Sequence, residues 1–192
     1  MKLSEFAVKK PPFSVLDVKM EEFLPDEILR FSDREGHVLM LHTSSIGVAD
    51  EAVCDYISKI LYDYPNIKVV LAHIGRYYEK SQFIKFYNSG FLESHSNKNM
   101  YFDMSSVSEK ELLQLVLEKD FLHDRIMFGS DLPYGLIKLS KEHEKERCNL
   151  TYNVYHSIKA LKDAIDALNL PQNRKSQMIR KVFYENAKKL FT

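Results

Sequence analysis

The sequence lacks the features that would place it in several common protein classes. Its 27 basic and 27 acidic residues give a formal net charge of +0, which argues against nucleic-acid binding, because neutralising phosphates requires a basic surface. No apolar run approaches the ~20 residues of a membrane-spanning helix, and the first residues lack the apolar core of a signal peptide. We therefore expect a cytoplasmic protein with no membrane partner.

Cysteine and glycine are also scarce. The two cysteines, Cys54 and Cys148, lie far apart without CxxC spacing, which predicts reduced thiols that serve packing. The six glycines include no cluster that could cradle a phosphate group. No Gly-x-Ser-x-Gly motif is present, so a serine hydrolase with a nucleophile elbow is not expected.

What the sequence does contain is an alternation of strand and helix patterns. Strands are predicted over residues 13–20, 38–41, 67–72, 100–104 and 125–128, and helical patterns follow each of them. Further helices are predicted over about 154–168 and from Pro171 onward. About five such units in one chain of 192 residues predict a single α/β domain, residues 1–192, with a parallel sheet.

Polar side chains that can bind metals follow successive predicted strands. His42, His73, Asp103 and Asp131 each stand at a strand end, at intervals of 31, 30 and 28 residues. These intervals match the ~30 residues of a βα unit, so the side chains should meet at one edge of the sheet. Imidazole and carboxylate groups are ligands of catalytic zinc. The alternative is structural: a lone histidine bonded to the backbone, and an aspartate that caps a helix.

Several segments together resemble one family. They are residues 41–43 (LHT), 70–75 (VLAHIG), 101–106 (YFDMSS), 125–133 (RIMFGSDLP) and the tail 183–191 (FYENAKKLF). In this order and spacing they are similar to strand motifs of the amidohydrolase superfamily, in its amidohydrolase 2 group of metal-dependent hydrolases and decarboxylases. The resemblance runs from about Lys19 to Thr192. It implies a partial (β/α)8 TIM-barrel-like fold, of about five parallel strands with C-terminal helices.

The resemblance also implies residue roles. His42 matches the metal-binding histidine of the family's fifth strand. His73 matches the histidine of the sixth strand, which binds a second metal or polarises the water or substrate. Asp131 matches the aspartate of the last strand, which contacts the metal and acts as general base. The implied cofactor is a divalent metal, zinc first, with manganese or another ion as alternatives.

One departure from the family is large. The family begins with a metal-binding His-x-His pair, and this sequence contains no His-x-His. Residues 18–20 resemble the fourth strand, so the chain corresponds to about strands 4 to 8, an N-terminally truncated form. Such a sheet would have two open edges, which invite pairing. We expect a homo-oligomer, a missing N-terminal part, or edges covered by the C-terminal helices.

The expected function follows from the family. The first hypothesis is a metal-dependent hydrolase that uses a metal-activated water on a small-molecule amide, ester or lactone, with Asp131 and His73 as catalytic residues. Arg76 would hold a substrate carboxylate, and Tyr134 would form a pocket wall. The alternatives are a decarboxylase of a small aromatic or unsaturated carboxylic acid, an inactive remnant that serves as a subunit, and a metal-free small-molecule binding domain.

Overall fold

The structure is a computed structural model and describes residues 19–43, 46–137 and 152–192. In this part of the chain four parallel strands form one sheet in the sequential order β1-β2-β3-β4. The strands are β1 (Val38–Leu41), β2 (Lys68–Leu71), β3 (Met100–Asp103) and β4 (Ile126–Met127). The predicted parallel α/β arrangement is confirmed.

Helices connect the strands and follow them. They are α1 (Met20–Phe23), α2 (Asp26–Glu35), α3 (Glu51–Asp63), α4 (Lys80–Asn88), α5 (Phe91–Ser94), α6 (Lys110–Leu117), α7 (Asn153–Ala167), α8 (Gln172–Arg180) and α9 (Asn186–Phe191). A π-helical segment, Lys181–Glu185, joins α8 to α9. No helix among the described residues is long and apolar enough to cross a membrane.

Helix boundaries follow from local chemistry. Helix α2 ends at Gly36, which takes the left-handed conformation at φ 66°, as glycine does just past many helices. Helix α3 begins after Asp50, whose carboxylate accepts a hydrogen bond from the Ala52 N–H at 3.0 Å. The sequence predicts these helices over residues 25–35 and 50–64, and both ends lie within one residue of that prediction.

The first predicted strand, residues 13–20, differs from the structure at its end. Residues 13–18 lie outside the described residues. Lys19 is extended, but Met20 begins helix α1 and is buried, with 2% exposure. The prediction that the strand continues through Met20 is wrong. Glu21 and Glu22 occupy the first turn of α1, where the helix dipole favours acidic side chains.

The two faces of the sheet have different partners. One face, with residues such as Val69, Leu71 and Phe102, packs on the helices in the main hydrophobic core. The other face, with Val70 and Met127, contacts the C-terminal helix in a second, small cluster. Because side chains alternate along a strand, each strand contributes to both clusters.

The C-terminal segment covers the outer edge of β4. The Phe128 N–H donates to the Val182 carbonyl at 2.9 Å, and the rings of Phe128 and Phe183 stack at 4.8 Å. The side-chain amide of Asn186 donates to the Ile126 and His123 carbonyls, each at 2.8 Å. Strand β4 is shorter than the predicted 125–128. The contacts at its outer edge confirm the expectation that the C-terminal helices cover the sheet there.

Candidate active site

His42 and His73 lie side by side at the ends of neighbouring strands. Strands β1 and β2 pair in register, with Leu41 opposite Leu71, so the residues that follow them emerge at the same edge. The two imidazole rings are 5.3 Å apart between centroids and nearly perpendicular, at 82°. The buried Thr43 hydroxyl donates to the Gly75 carbonyl at 2.9 Å and ties the two strand ends together.

The surroundings of His42 favour its neutral form. Partial burial lowers the pKa of His42, and the electrostatic influence of the neighbouring Arg76 and His73 lowers it further. The carboxylate of Asp131 acts in the opposite direction, so it lies close enough to influence His42. A neutral imidazole keeps a lone pair that can bind a cation or accept a proton.

Asp131 is connected to the site through a serine. The Ser106 hydroxyl, at the end of β3, donates to Asp131 Oδ2 at 2.6 Å. The side-chain amide of Asn153, the first residue of α7, donates to Ser106 Oγ at 2.9 Å. This chain of hydrogen bonds holds one carboxylate oxygen of Asp131, and no other residue in the described part of the chain bonds to its second oxygen.

Both histidines line a cavity of about 220 Å³ at this edge of the sheet. Its walls include Ser106 and a ring of side chains that follow β2 and β3: Arg76, Tyr77, Tyr78, Val107 and Glu109. A larger groove of about 360 Å³ lies between α3 and α4, but it holds none of the predicted site residues. The chemistry therefore favours the smaller cavity as the site.

The two residues predicted to bind substrate have different positions. Arg76 lines the cavity, and its Nη1 donates to the Thr43 carbonyl at 2.7 Å. Its Nη2 contacts the Tyr78 hydroxyl, and the guanidinium lies over the Tyr78 ring, 5.0 Å from the centroid. Tyr134 is 64% exposed and does not belong to the described wall of this cavity.

The described residues do not complete a metal site by themselves. Within residues 19–43, 46–137 and 152–192, no group of three or more His, Cys, Asp or Glu side chains is placed to hold a metal ion. His42 and His73 face each other, but Asp131 does not join them as a third ligand. Catalytic zinc usually has three protein ligands, so these side chains fit only part of such a site.

The backbone around the site is strained. Within the described chain, the non-glycine residues at positive φ are His73, Ile74, Arg76, Ser106 and Asp131, with φ from 50° to 60°. All of them lie in the turns after β2, β3 and β4. Such conformations cost about 1–3 kcal/mol each and cluster at functional sites. Their concentration at one edge of the sheet supports the choice of this edge.

The sequence also identifies the family of this chain. The sequence matches the model of the amidohydrolase family over residues 10–192. The chain belongs to the amidohydrolase family. The resemblance noted from the strand motifs is thereby confirmed. No curated protein is similar enough in sequence to count as a match.

Solved structures agree with this membership at the level of the fold. An assigned amidohydrolase from Staphylococcus aureus superposes with a TM-score of 0.55 at 17% identity, over 93% of this chain and 62% of that one. The 5-carboxyvanillate decarboxylase of Novosphingobium aromaticivorans, with bound manganese and 3-methoxy-4-hydroxy-5-nitrobenzoic acid, gives 0.56 at 16% identity, over 93% and 55%. This amidohydrolase-family chain thus spans less than two thirds of their length, and the predicted partial-barrel fold is confirmed.

Sequence reasoning missed the hydrogen-bonding residues of the site. Ser105 contacts His73, Ser106 contacts Asp131, and Asn153 donates to Ser106. None of the three was predicted as a site residue. A usable signal existed for the serines, because they directly follow the strand that ends at Asp103. Asn153 comes from a distant helix and could not be placed without the tertiary structure.

Proposed function

We propose that this chain forms a strand-end active site of the amidohydrolase type that hydrolyses a small-molecule amide, ester or lactone. The observation that carries the proposal is the pair His42 and His73, which face each other in one cavity. Asp131 approaches this pair through Ser106. Imidazole and carboxylate groups around a small cavity are the usual means of proton transfer to and from water.

Each residue has a distinct role in this proposal. Asp131 accepts a proton from the attacking water at the carboxylate oxygen that Ser106 does not occupy. His73 polarises the same water, because its Nδ1 is engaged by Ser105 and its Nε2 is left for the cavity. Arg76 places a positive charge beside the site, which stabilises negative charge that develops on the substrate carbonyl oxygen.

A divalent ion would be held by His42 and His73, and the Nε2 of His73 would then bind the ion in place of the water. Two imidazoles favour zinc among the common hard and borderline ions, and manganese is the alternative. When bound, such an ion lowers the pKa of a coordinated water. Because the described residues supply no third ligand, no step of the proposed reaction is assigned to the ion.

The test is turnover by the full chain, with zinc or manganese in excess, on a panel of amides, esters and lactones, with products measured by mass spectrometry. We expect hydrolysis whose kcat falls by roughly 10²-fold or more in His73→Gln and in Asp131→Asn. The control is His37→Gln, since His37 precedes β1 at the opposite end of the strand. No turnover, or turnover insensitive to both site variants, would contradict the proposal.

Decarboxylation of a small aromatic or unsaturated carboxylic acid is the second candidate. Arg76 favours it, because a guanidinium in the cavity wall can pair with a substrate carboxylate. The same panel should therefore contain aromatic carboxylic acids, with carbon dioxide release as the readout. Release that depends on Arg76, without hydrolysis of the other compounds, would replace the first candidate with this one. Homo-oligomer formation stays a prediction under either function.

A further inference from the structure

A buried hydrogen-bond chain runs behind His73, from Ser105 to Asp103. Asp103, the last residue of β3, is 6% exposed, and Ser105 is 2% exposed. The Ser105 hydroxyl donates to Asp103 Oδ2, and the Ser105 N–H donates to Asp103 Oδ1 at 3.1 Å. Ser105 Oγ also lies 3.0 Å from His73 Nδ1. Buried polar groups that are fully paired in this way specify one arrangement.

The donors and acceptors of this chain can be assigned from their chemistry. A serine hydroxyl has one proton, and an ionised carboxylate can only accept. The Ser105 proton therefore points to Asp103, and Ser105 Oγ offers a lone pair to His73 Nδ1. The Ser105 carbonyl oxygen, which also can only accept, lies 3.0 Å from the same nitrogen. Both partners require that Nδ1 carries a proton.

The position of Asp103 is itself fixed by packing. Gly129, in the turn after β4, leaves no space for a side chain, since a Cβ there would lie 2.1 Å from Asp103 Oδ1. The next serine in the chain has a different partner. Ser106 adopts a φ of 57°, and its hydroxyl donates to Asp131. Two consecutive serines thus bond to two different predicted catalytic residues, one on each side of β3.

We propose that Ser105 and Asp103 are positioning residues that fix His73 in the Nδ1–H tautomer and present a bare Nε2 to the cavity shared with His42. Asp103 orients the Ser105 hydroxyl, and Ser105 orients the imidazole. Only the use of Nε2 to polarise water rests on the proposed function. The tautomer is a property of the folded chain and exists whether or not a substrate is turned over.

The experiment is nitrogen-15 NMR of the imidazoles in the full chain with labelled histidine, in chelator-containing buffer, with His73 assigned from its loss in His73→Gln. We expect a protonated signal at Nδ1 and an unprotonated signal at Nε2. In Asp103→Asn the new amide can donate to Ser105 Oγ, which frees the hydroxyl proton for Nδ1. The His73 signals should then shift toward the Nε2–H tautomer.

Serine variants make the test independent of any folding defect in Asp103→Asn. Ser105→Ala removes one of the two acceptors and should shift His73 partly toward Nε2–H, whereas Ser105→Thr keeps the hydroxyl and should restore the wild-type signals. The matched control is Ser106→Ala, which removes the adjacent hydroxyl and should leave the His73 signals unchanged. An Nε2–H form in the wild type, or no difference between Ser105→Ala and Ser105→Thr, would overturn the proposal.

Kinetics separate this proposal from the proposed function. With a substrate in hand, Ser105→Ala should lower kcat by about tenfold or more with little change in KM, and Ser105→Thr should recover it. An Nδ1–H tautomer without turnover on any compound would leave the positioning role intact and contradict the function. Turnover by a wild-type chain in which His73 is the Nε2–H tautomer would support the function and contradict the positioning role.

Discussion

At the scale of single residues, one tightly constrained contact of the site is that of Gly129 with Asp103. Gly129 has an ordinary φ, so it is required for space rather than for backbone conformation. The carboxylate of Asp103 fills the position that a side chain would take, and it anchors Ser105. A small change at residue 129 therefore acts on His73 through two intermediate residues.

We predict that Gly129→Ala destabilises the fold and disturbs the site together. The added methyl group must displace the Asp103 carboxylate, and such overpacking typically costs about 1–3 kcal/mol of the free energy of unfolding. Urea denaturation measures the loss, and the His73 NMR signals report the disturbance. Ser130→Ala, which adds no atoms at the next position, serves as the control. An unchanged midpoint in Gly129→Ala would show that Asp103 is not held as tightly as the contact implies.

Cys54 illustrates a residue whose role the sequence predicted well. It was expected to be a packing thiol, and its Sγ donates to the Val48 carbonyl at 3.1 Å in a half-buried position. Burial, with the negative charges of Asp55 and Asp50, raises the pKa of the thiol to about 12. A thiol with so high a pKa is a poor nucleophile near neutral pH. Cys148 lies outside the described residues.

At the scale of elements, the C-terminal segment takes the place of a further strand beside β4. A strand would pair with β4 through a ladder of backbone hydrogen bonds, whereas here one bond comes from Val182 and two come from the Asn186 side chain. An open edge is thereby satisfied without another strand. The arrangement depends on Asn186, which is 4% exposed and bonds to two different carbonyls.

We predict that Asn186→Ala lowers the free energy of unfolding by about 2–3 kcal/mol. The substitution leaves the buried carbonyl of Ile126 and the half-buried carbonyl of His123 without this donor, and a lost buried partner costs about 1–3 kcal/mol. The measurement is chemical denaturation of the full chain, compared with Lys189→Ala, an exposed position of the same helix. A loss no greater than that of Lys189→Ala would mean that α9 does not secure the edge of β4.

Most elements could be predicted from the sequence, because their patterns are local. The apolar strand 38–41 and the helix predicted over residues 50–64 appear in the structure nearly as predicted. Met20 was placed wrongly, because a short apolar run followed by acidic residues fits a strand end and a helix start equally well. The contacts of the β4 edge with Val182 and Asn186 come from far along the chain, and no local pattern contains them.

At the scale of the whole molecule, the number of ligands that meet at the strand ends determines how tightly a metal ion could bind. The two facing imidazoles come from different βα units, and Asp131 comes from a third. The described residues supply no group of three ligands. The chain also spans only 62% and 55% of the length of the two structures it resembles. A strong site would therefore need ligands beyond those described.

We predict that the purified chain retains clearly less than one tightly bound divalent ion per protomer, measured by elemental analysis after dialysis. Two imidazoles bind zinc more weakly than a set of three ligands. Excess zinc should still raise the Tm of the wild type, but not that of His42→Ala. His37→Gln, away from the site, should respond like the wild type. One tight equivalent that is lost in both His42→Ala and Asp131→Ala would show instead that the three predicted ligands close on the ion.

The sequence by itself determined the strand–helix alternation, the family, and the place of His42, His73 and Asp131 at strand ends. These features are local or periodic, so they can be recognised from spacing and motif alone. The tertiary structure decided how these side chains are held. Ser105 hydrogen-bonds to His73, Ser106 hydrogen-bonds to Asp131, and the Asn186 side chain hydrogen-bonds to the edge of β4. Each of these contacts joins segments remote in sequence, and a hydrogen bond depends on distances that only the packed chain sets.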